Sequence, residues 1–315
     1  MKAIQFFAIT ALGAALFASC SNQEEPATGS YPSDNLIRVT AGVNNDMTRG
    51  DEAVTPTSLT QNFSLTVVNK TNANFSYANE IFSLNGTEWS CGKNLLWQNL
   101  TTPVEIVALY PATDANKFTS VYSKENKSYG TITYGVNSDQ STAAEADDLL
   151  LYHSANFKPE NNLKDGKLDI QFKHAFCRVD IEVTIGTEFN ASTGLAANPI
   201  QGIKVEGTKT TANISFASTA PFFTVTPSES GEVTSIIPTE SDFTPAASAT
   251  DQAVARYSCI VIPQNAALKV LLHTSDREFE WTGSQMELVS GKQYTLQLNM
   301  KKSATARKFI LRERK

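Results

Sequence analysis

The strongest constraint on this chain is a two-residue rhythm of apolar and polar side chains, cut into many short runs. Ile37-Arg38-Val39-Thr40-Ala41-Gly42-Val43 alternates, and so does Phe63-Ser64-Leu65-Thr66-Val67-Val68. Val104 to Tyr110 is more continuously apolar and ends at Pro111. Leu168-Asp169-Ile170-Gln171-Phe172-Lys173 and Val179-Asp180-Ile181-Glu182-Val183-Thr184-Ile185 alternate cleanly. Shorter runs follow at 203–205, 212–216, 259–262 and 268–272, and Tyr294 to Met300 closes the series. Successive strand side chains point to opposite faces, so each such run buries one face and wets the other. Sustained helical spacing is lacking. Many short strands separated by turn residues predict an all-β fold, most simply a β-sandwich.

The first residues read as an address rather than as structure. Lys2 precedes an apolar run from Ile4 to Phe17 that is interrupted by Gln5, Thr10 and Gly13. It is shorter than the ~20 apolar residues that span a bilayer, and it matches a secretory signal peptide. The run ends in Leu16-Phe17-Ala18-Ser19-Cys20, which resembles a lipobox, the site where bacterial lipoproteins are lipidated on Cys and cleaved before it. The alternative is a plain secretory signal with an incidental Cys. The polar, acidic Ser21-Asn22-Gln23-Glu24-Glu25-Pro26 resembles the stretch that sends Bacteroidetes lipoproteins to the outer face of the outer membrane; an ordinary solvated tether is the other reading. Residues 21–35 carry too little apolar surface to fold and form a flexible linker.

The formal charge is −6, from 26 Lys and Arg against 32 Asp and Glu. An acidic chain lacks the electrostatic footprint of a nucleic-acid binder. Beyond Cys20, the cysteines are Cys91, Cys177 and Cys259. Cys177 and Cys259 sit inside strand-like runs, where a lone Cys is a small buried hydrophobe, although a disulfide is open in an oxidising compartment. The lack of a C-x-x-C pair argues against a metal knuckle or redox motif.

The three histidines, His153, His174 and His273, stand in none of the catalytic or metal-binding motifs. No cofactor, metal or enzymatic activity is expected. Glu145, Asp147 and Asp148 lack EF-hand spacing and read as a solvated acidic loop. Of Trp89, Trp97 and Trp281, the last stands between Glu280 and Thr282 and is the best candidate for an exposed sugar-stacking surface, with burial in the core as the competing reading. The polar stretch 112–146 reads as a hairpin or long loop projecting from the first half.

Several of these features occur together in the order found in the fimbrillin family of Bacteroidetes, the type V pilus subunits and their lipoprotein relatives, which the chain resembles. They are the lipobox, the first strand at Ile37 to Val43, and Met47-Thr48-Arg49-Gly50 shortly after it. The block Asp147-Asp148-Leu149-Leu150-Leu151-Tyr152, then Phe172-Lys173-His174-Ala175-Phe176-Cys177-Arg178-Val179-Asp180-Ile181, and the closing Gly291-Lys292-Gln293-Tyr294-Thr295-Leu296 complete the series. The resemblance implies two tandem transthyretin-like Greek-key β-sandwich domains. It divides the chain into a signal peptide (1–19), a lipidated linker (20–35), an N-terminal domain (36–175) and a C-terminal domain (176–315).

The resemblance also implies partners and a location. The partners are other pilin subunits, joined by donor-strand exchange, the outer membrane through the lipid on Cys20, and a host protein or glycan. The location is the cell surface or fimbrium. In polymerising relatives an Arg-specific protease cuts after an Arg in the loop behind the first strand; here that is the Arg49–Gly50 bond, and Ile37 to Val43 is the departing strand. Arg49 as a solvated loop residue is the alternative. The tail Ala306 to Lys315 carries a short apolar core between charges and reads either as a donor strand or as a frayed basic tail. A surface glycan-binding lipoprotein, contacting ligand through Trp281, is the rival function.

Overall fold

The computed structural model describes residues 31–44, 59–112, 118–119, 122–123, 128–129, 131–142, 148–216, 222–302 and 310–313. Within them the protein is all-β. In chain order the strands are β1 Val39–Val43, β2 Phe63–Val68, β3 Tyr77–Asn85, β4 Glu88–Ser90, β5 Val104–Tyr110, β6 Phe118–Thr119 and β7 Tyr122–Ser123. Next come β8 Ser128–Tyr129, β9 Ile132–Gly135, β10 Leu150–Phe157, β11 Leu168–His174, β12 Cys177–Ile185, β13 Ile200–Glu206 and β14 Thr211–Phe216. The last are β15 Phe223–Pro227, β16 Thr239–Thr244, β17 Ala253–Val261, β18 Asn265–Thr274, β19 Glu278–Glu287, β20 Gln293–Met300 and β21 Ile310–Glu313.

The first unit closes on itself in the order β1-β11-β10-β5-β2-β3-β4. A closed ring leaves no open sheet edge. Its interior is filled by Phe63, Leu65, Phe82, Trp97, Ile106, Leu168, Ile170 and Phe172. Phe63 is the hub: it stacks on Phe82 at 5.2 Å and meets Trp89 and Phe172 edge-on at 4.8 and 5.7 Å. Offset and edge-on pairs of this kind add to what area burial alone contributes.

The second unit is layered. It contains a sheet β16-β17-β12-β20-β21, a three-stranded sheet β13-β18-β19 and a four-stranded sheet β15-β14-β9-β6. The alternation in β12 shows why: Cys177, Val179, Ile181, Val183 and Ile185 point inward, while Arg178, Asp180, Glu182 and Thr184 face outward. β12 is central, antiparallel to β17 and parallel to β20.

The two units share one surface. β5 is buried on both faces: Ile106 and Ala108 look into the ring, whereas Val107 and Leu109 belong to the second core. A strand covered on both sides reads as a near-continuous apolar run, which is what Val104 to Tyr110 displays. The chain crosses between cores around Ala175, since Phe172 fills the first and Phe176 the second.

One expectation is corrected here. The stretch 112–146 does not simply project from the first half. β9 pairs with β14 of the second half, Ile132 opposite Ile214 and Tyr134 opposite Ala212. Ile132, Tyr134 and Val136 are buried in the second core. A segment that alternates Ile, Tyr and Val can supply a buried face despite polar surroundings.

Candidate assembly interface

The segment that the family resemblance casts as the departing strand, Ile37 to Val43, contains β1. This strand lies parallel to β11 along its whole length, from Val39 opposite Leu168 to Val43 opposite Phe172. Its other side meets β4 at a single residue pair, Val39 with Trp89. The flanking backbone is secured at both ends: Leu168 N–H donates to Arg38 O at 2.8 Å, and Asn44 N–H donates to Phe172 O at 2.8 Å. Ahead of it, Ile37 N–H donates to Leu95 O at 2.9 Å and Trp97 N–H to Asn35 O at 2.8 Å.

Ile37, Val39 and Val43 are buried in the first core. Exposing three such side chains costs roughly 5–9 kcal/mol, at ~1.5–3 kcal/mol each. That rivals the ~5–15 kcal/mol stability of a whole domain. The ring would not survive removal of β1 unless another apolar strand filled the groove, with its main chain satisfying the exposed edge of β11.

Polar contacts fix the register. Asp169 on β11 accepts from Thr40 Oγ1 at 3.2 Å, accepts from Gln171 Nε2 at 2.7 Å and is ion-paired with Lys164. Burial pushes its carboxyl up, but Lys164, Gln171 and Thr40 together hold it below the ordinary carboxylate range. Arg38 forks onto Asp34, with Nη1–Oδ1 at 2.9 Å and Nη2–Oδ2 at 2.6 Å, and this pairing, helped by the Leu36 amide, lowers the Asp34 carboxyl to about 2. Exposed pairs of this kind contribute little stability. They do occupy the Arg38 side chain, and its carbonyl is already bonded to β11, so Arg38 is a poor protease site.

Cys20, Arg49 and Gly50 lie outside the described residues. Trp281 is half-buried on β19 and packs on the second core. Gly283, two residues on, lies beneath it: a Cβ there would stand 2.8 Å from Trp281 Cη2. The indole thus lies over Gly283 along the strand. The tail segment β21 pairs antiparallel with β20, Tyr294 opposite Glu313 and Gln297 opposite Ile310. It forms the outer edge of the five-stranded sheet.

Two further features were not legible from sequence. β15 is the outer strand of its sheet among the described residues, and it borders a groove of about 770 Å³ lined by Phe222, Val225, Pro227, Pro263, Leu288 and Val289. Two hydrogen-bonded histidine–carboxylate pairs are also present among the described residues: His174 Nδ1 with Asp148 Oδ2 at 2.7 Å, and His153 Nε2 with Glu105 Oε1 at 3.0 Å. Among the described residues no group of three or more His, Cys, Asp and Glu is placed to hold a metal ion.

This is an all-β chain whose first strand is paired continuously on one side and through a single residue pair on the other, in a unit that buries three of its side chains. A family model described as "Fimbrillin-like" matches residues 38–309, and the chain belongs to that family. Solved structures share the fold. One is a fimbrial protein from Bacteroides vulgatus ATCC 8482, with 16% identity, a TM-score of 0.53, and coverage of 89% of this chain and 98% of that one. A candidate cell adhesion protein from Bacteroides uniformis ATCC 8492 has 14% identity and a TM-score of 0.57, over 90% of this chain and 99% of that one. Another, from Bacteroides ovatus ATCC 8483, has 15% identity and a TM-score of 0.55, over 91% and 97%. No curated protein sequence matches the chain.

Proposed function

We propose that this protein is a fimbrial subunit or fimbrillin-like adhesin of the cell surface, that it does no catalysis, and that it joins other subunits by strand exchange. The carrying observation is the asymmetry of β1, bound continuously to β11 but to β4 through Val39 alone. In this reading the lipid on Cys20 anchors the chain in the outer membrane. Cleavage at Arg49–Gly50 frees the segment bearing β1, and a strand from the next subunit takes its place. The tail around β21 is the candidate donor. Each unit is read as a transthyretin-like sandwich. In the first, β11-β1-β4-β3 and β11-β10-β5-β2-β3 are two walls sharing β11 and β3 at their corners, which supports that reading. The packing of Trp281 onto the core favours assembly over glycan capture.

N-terminal sequencing of the protein taken from cells tests the first step. A start at Gly50 means the strand has been released, and a lipid-blocked start at Cys20 means an anchored, unprocessed form. Surface material warmed gently in detergent should give a ladder of bands containing this chain. If no ladder forms, and deleting residues 37–49 changes nothing at the surface, strand exchange is wrong.

A further inference from the structure

His153 sits where the two units meet. It lies on β10, opposite Val107 of β5, on the outer face of the ring. Its side chain is 1% exposed. The ring packs on Phe216 of β14, with centroids 5.1 Å apart. Nε2 lies 3.0 Å from Glu105 Oε1, and Nδ1 lies 2.9 Å from the carbonyl oxygen of Phe222, just ahead of β15.

Both ring nitrogens therefore face acceptors. A carbonyl oxygen has no proton to give. A neutral imidazole carries one N–H, and only the imidazolium carries two. The remaining alternative is a protonated Glu105 donating to Nε2. Glu105 Oε2 also faces Lys70 Nζ at 3.3 Å, and although burial pushes this carboxyl up, His153 and Lys70 outweigh it and hold it below the ordinary range. Glu105 is thus a carboxylate, and the proton belongs to the ring. Glu105 from β5 faces His153, and Lys70 from the turn after β2 faces that carboxylate; β14 and β15 present the Phe216 ring and the Phe222 carbonyl, both uncharged.

We propose that His153 is held as an imidazolium at the junction of the two units and works as a proton-dependent latch. With both protons in place it ties the start of β15 to the first unit, and with one lost that tie opens. The neutral ring keeps its single N–H on Glu105, because a charged acceptor makes the stronger bond. Its lone pair then faces the Phe222 carbonyl, and two acceptors at that distance repel. The sign follows: the tie is present on the acid side and is lost as pH rises through deprotonation of His153. The element released carries Phe222, which is one wall of the groove beside β15.

Nitrogen NMR of the three histidine rings in the intact protein tests the protonation directly. At neutral pH both His153 nitrogens are expected to carry protons, with N–H signals slow to exchange. A His153 ring with one bare nitrogen would overturn the proposal. Amide hydrogen exchange then tests the latch. After correction for intrinsic rates, Thr224 to Thr226 should lose protection by roughly tenfold or more as pH is raised, while β12 holds its protection. In His153→Phe, which keeps an aromatic ring against Phe216, protection of β15 should be low and independent of pH. Wild-type protection that stays flat with pH, or protection in His153→Phe equal to wild type, would also overturn it.

Discussion

The side-chain amide of Gln140 and the backbone of Ile260 exchange two hydrogen bonds: Nε2 donates to Ile260 O at 2.9 Å, and Ile260 N–H donates to Oε1 at 2.8 Å. Gln140 is almost wholly buried. Its amide does the work of a strand residue on the β17 edge, where β16 no longer reaches. Its own N–H donates to Ile237 O at 2.9 Å, so one residue pins the excursion of 112–146 to two places in the second unit.

Replacing it strands both Ile260 groups. A buried donor or acceptor left unmade costs ~1–3 kcal/mol. Gln140→Leu should lower stability by ~2–6 kcal/mol in denaturant unfolding, given those two losses. Gln140→Glu should also be destabilising, because a carboxylate cannot donate to Ile260 O. A midpoint unchanged in both variants would show that the pairing contributes nothing.

Trp281 and Gly283 form a second matched pair, and substituting either should disturb the same packing. Gly283→Ala puts a methyl 2.8 Å from Trp281 Cη2 and pushes the ring away. Overpacking of this kind costs ~1–3 kcal/mol. Trp281→Ala should cost somewhat less than the ~3–5 kcal/mol of a fully buried large-to-small change, since the ring is half-buried. Tryptophan fluorescence of Gly283→Ala should shift to the red. Full stability of Trp281→Ala together with lost carbohydrate binding would instead favour the glycan reading.

Cys91, Cys177 and Cys259 are thiols, with no disulfide among the described residues. Cys177 lies opposite Val261 and Cys259 opposite Val179, which makes the two cysteines diagonal neighbours. Diagonal cross-strand residues stand ~7–8 Å apart, beyond disulfide reach. Burial, reinforced by Asp180, pushes the Cys259 thiol up to about 12. Iodoacetamide on the native protein should therefore label Cys91, which is half-buried, and spare the other two. After denaturation all three should react. Native labelling of Cys259 would contradict the packing of β17.

Strands and their inward faces were legible in sequence because alternation is a local signal. Val179 to Ile185 announces which side is buried without any knowledge of its neighbours. Pairing is not local. Nothing in Ile132-Thr133-Tyr134 points to Ala212-Asn213-Ile214 far along the chain. Composition also misled around Gln140, a polar residue in a polar stretch that is buried because its amide substitutes for backbone. His153 was equally hidden, since its partners Glu105 and Phe222 come from different units. For Trp281 both exposure and burial in the core were open from sequence; its neighbours Glu280 and Thr282 lie on the opposite face of the same strand and say little about it.

Asp169 links the hold on β1 to acidity. Its folded carboxyl lies below its unfolded value, mainly because Lys164, Gln171 and Thr40 outweigh burial. A depressed carboxyl contributes stability that is complete above the unfolded value and is lost as pH falls through the folded one. β1 should therefore loosen on acidification, since Thr40 bonds this same group across the strand pair. Asp169→Asn keeps the shape but removes the charge, so it should cost about 1 kcal/mol at neutral pH, the size of one modest polar interaction. It should also flatten the fall in stability on the acid side. Unfolding curves of both proteins from neutral to acid pH check this, with amide exchange at Thr40 and Ala41 reporting on β1 itself. Parallel curves for the two proteins would mean that Asp169 titrates alike in both states and does not hold the strand.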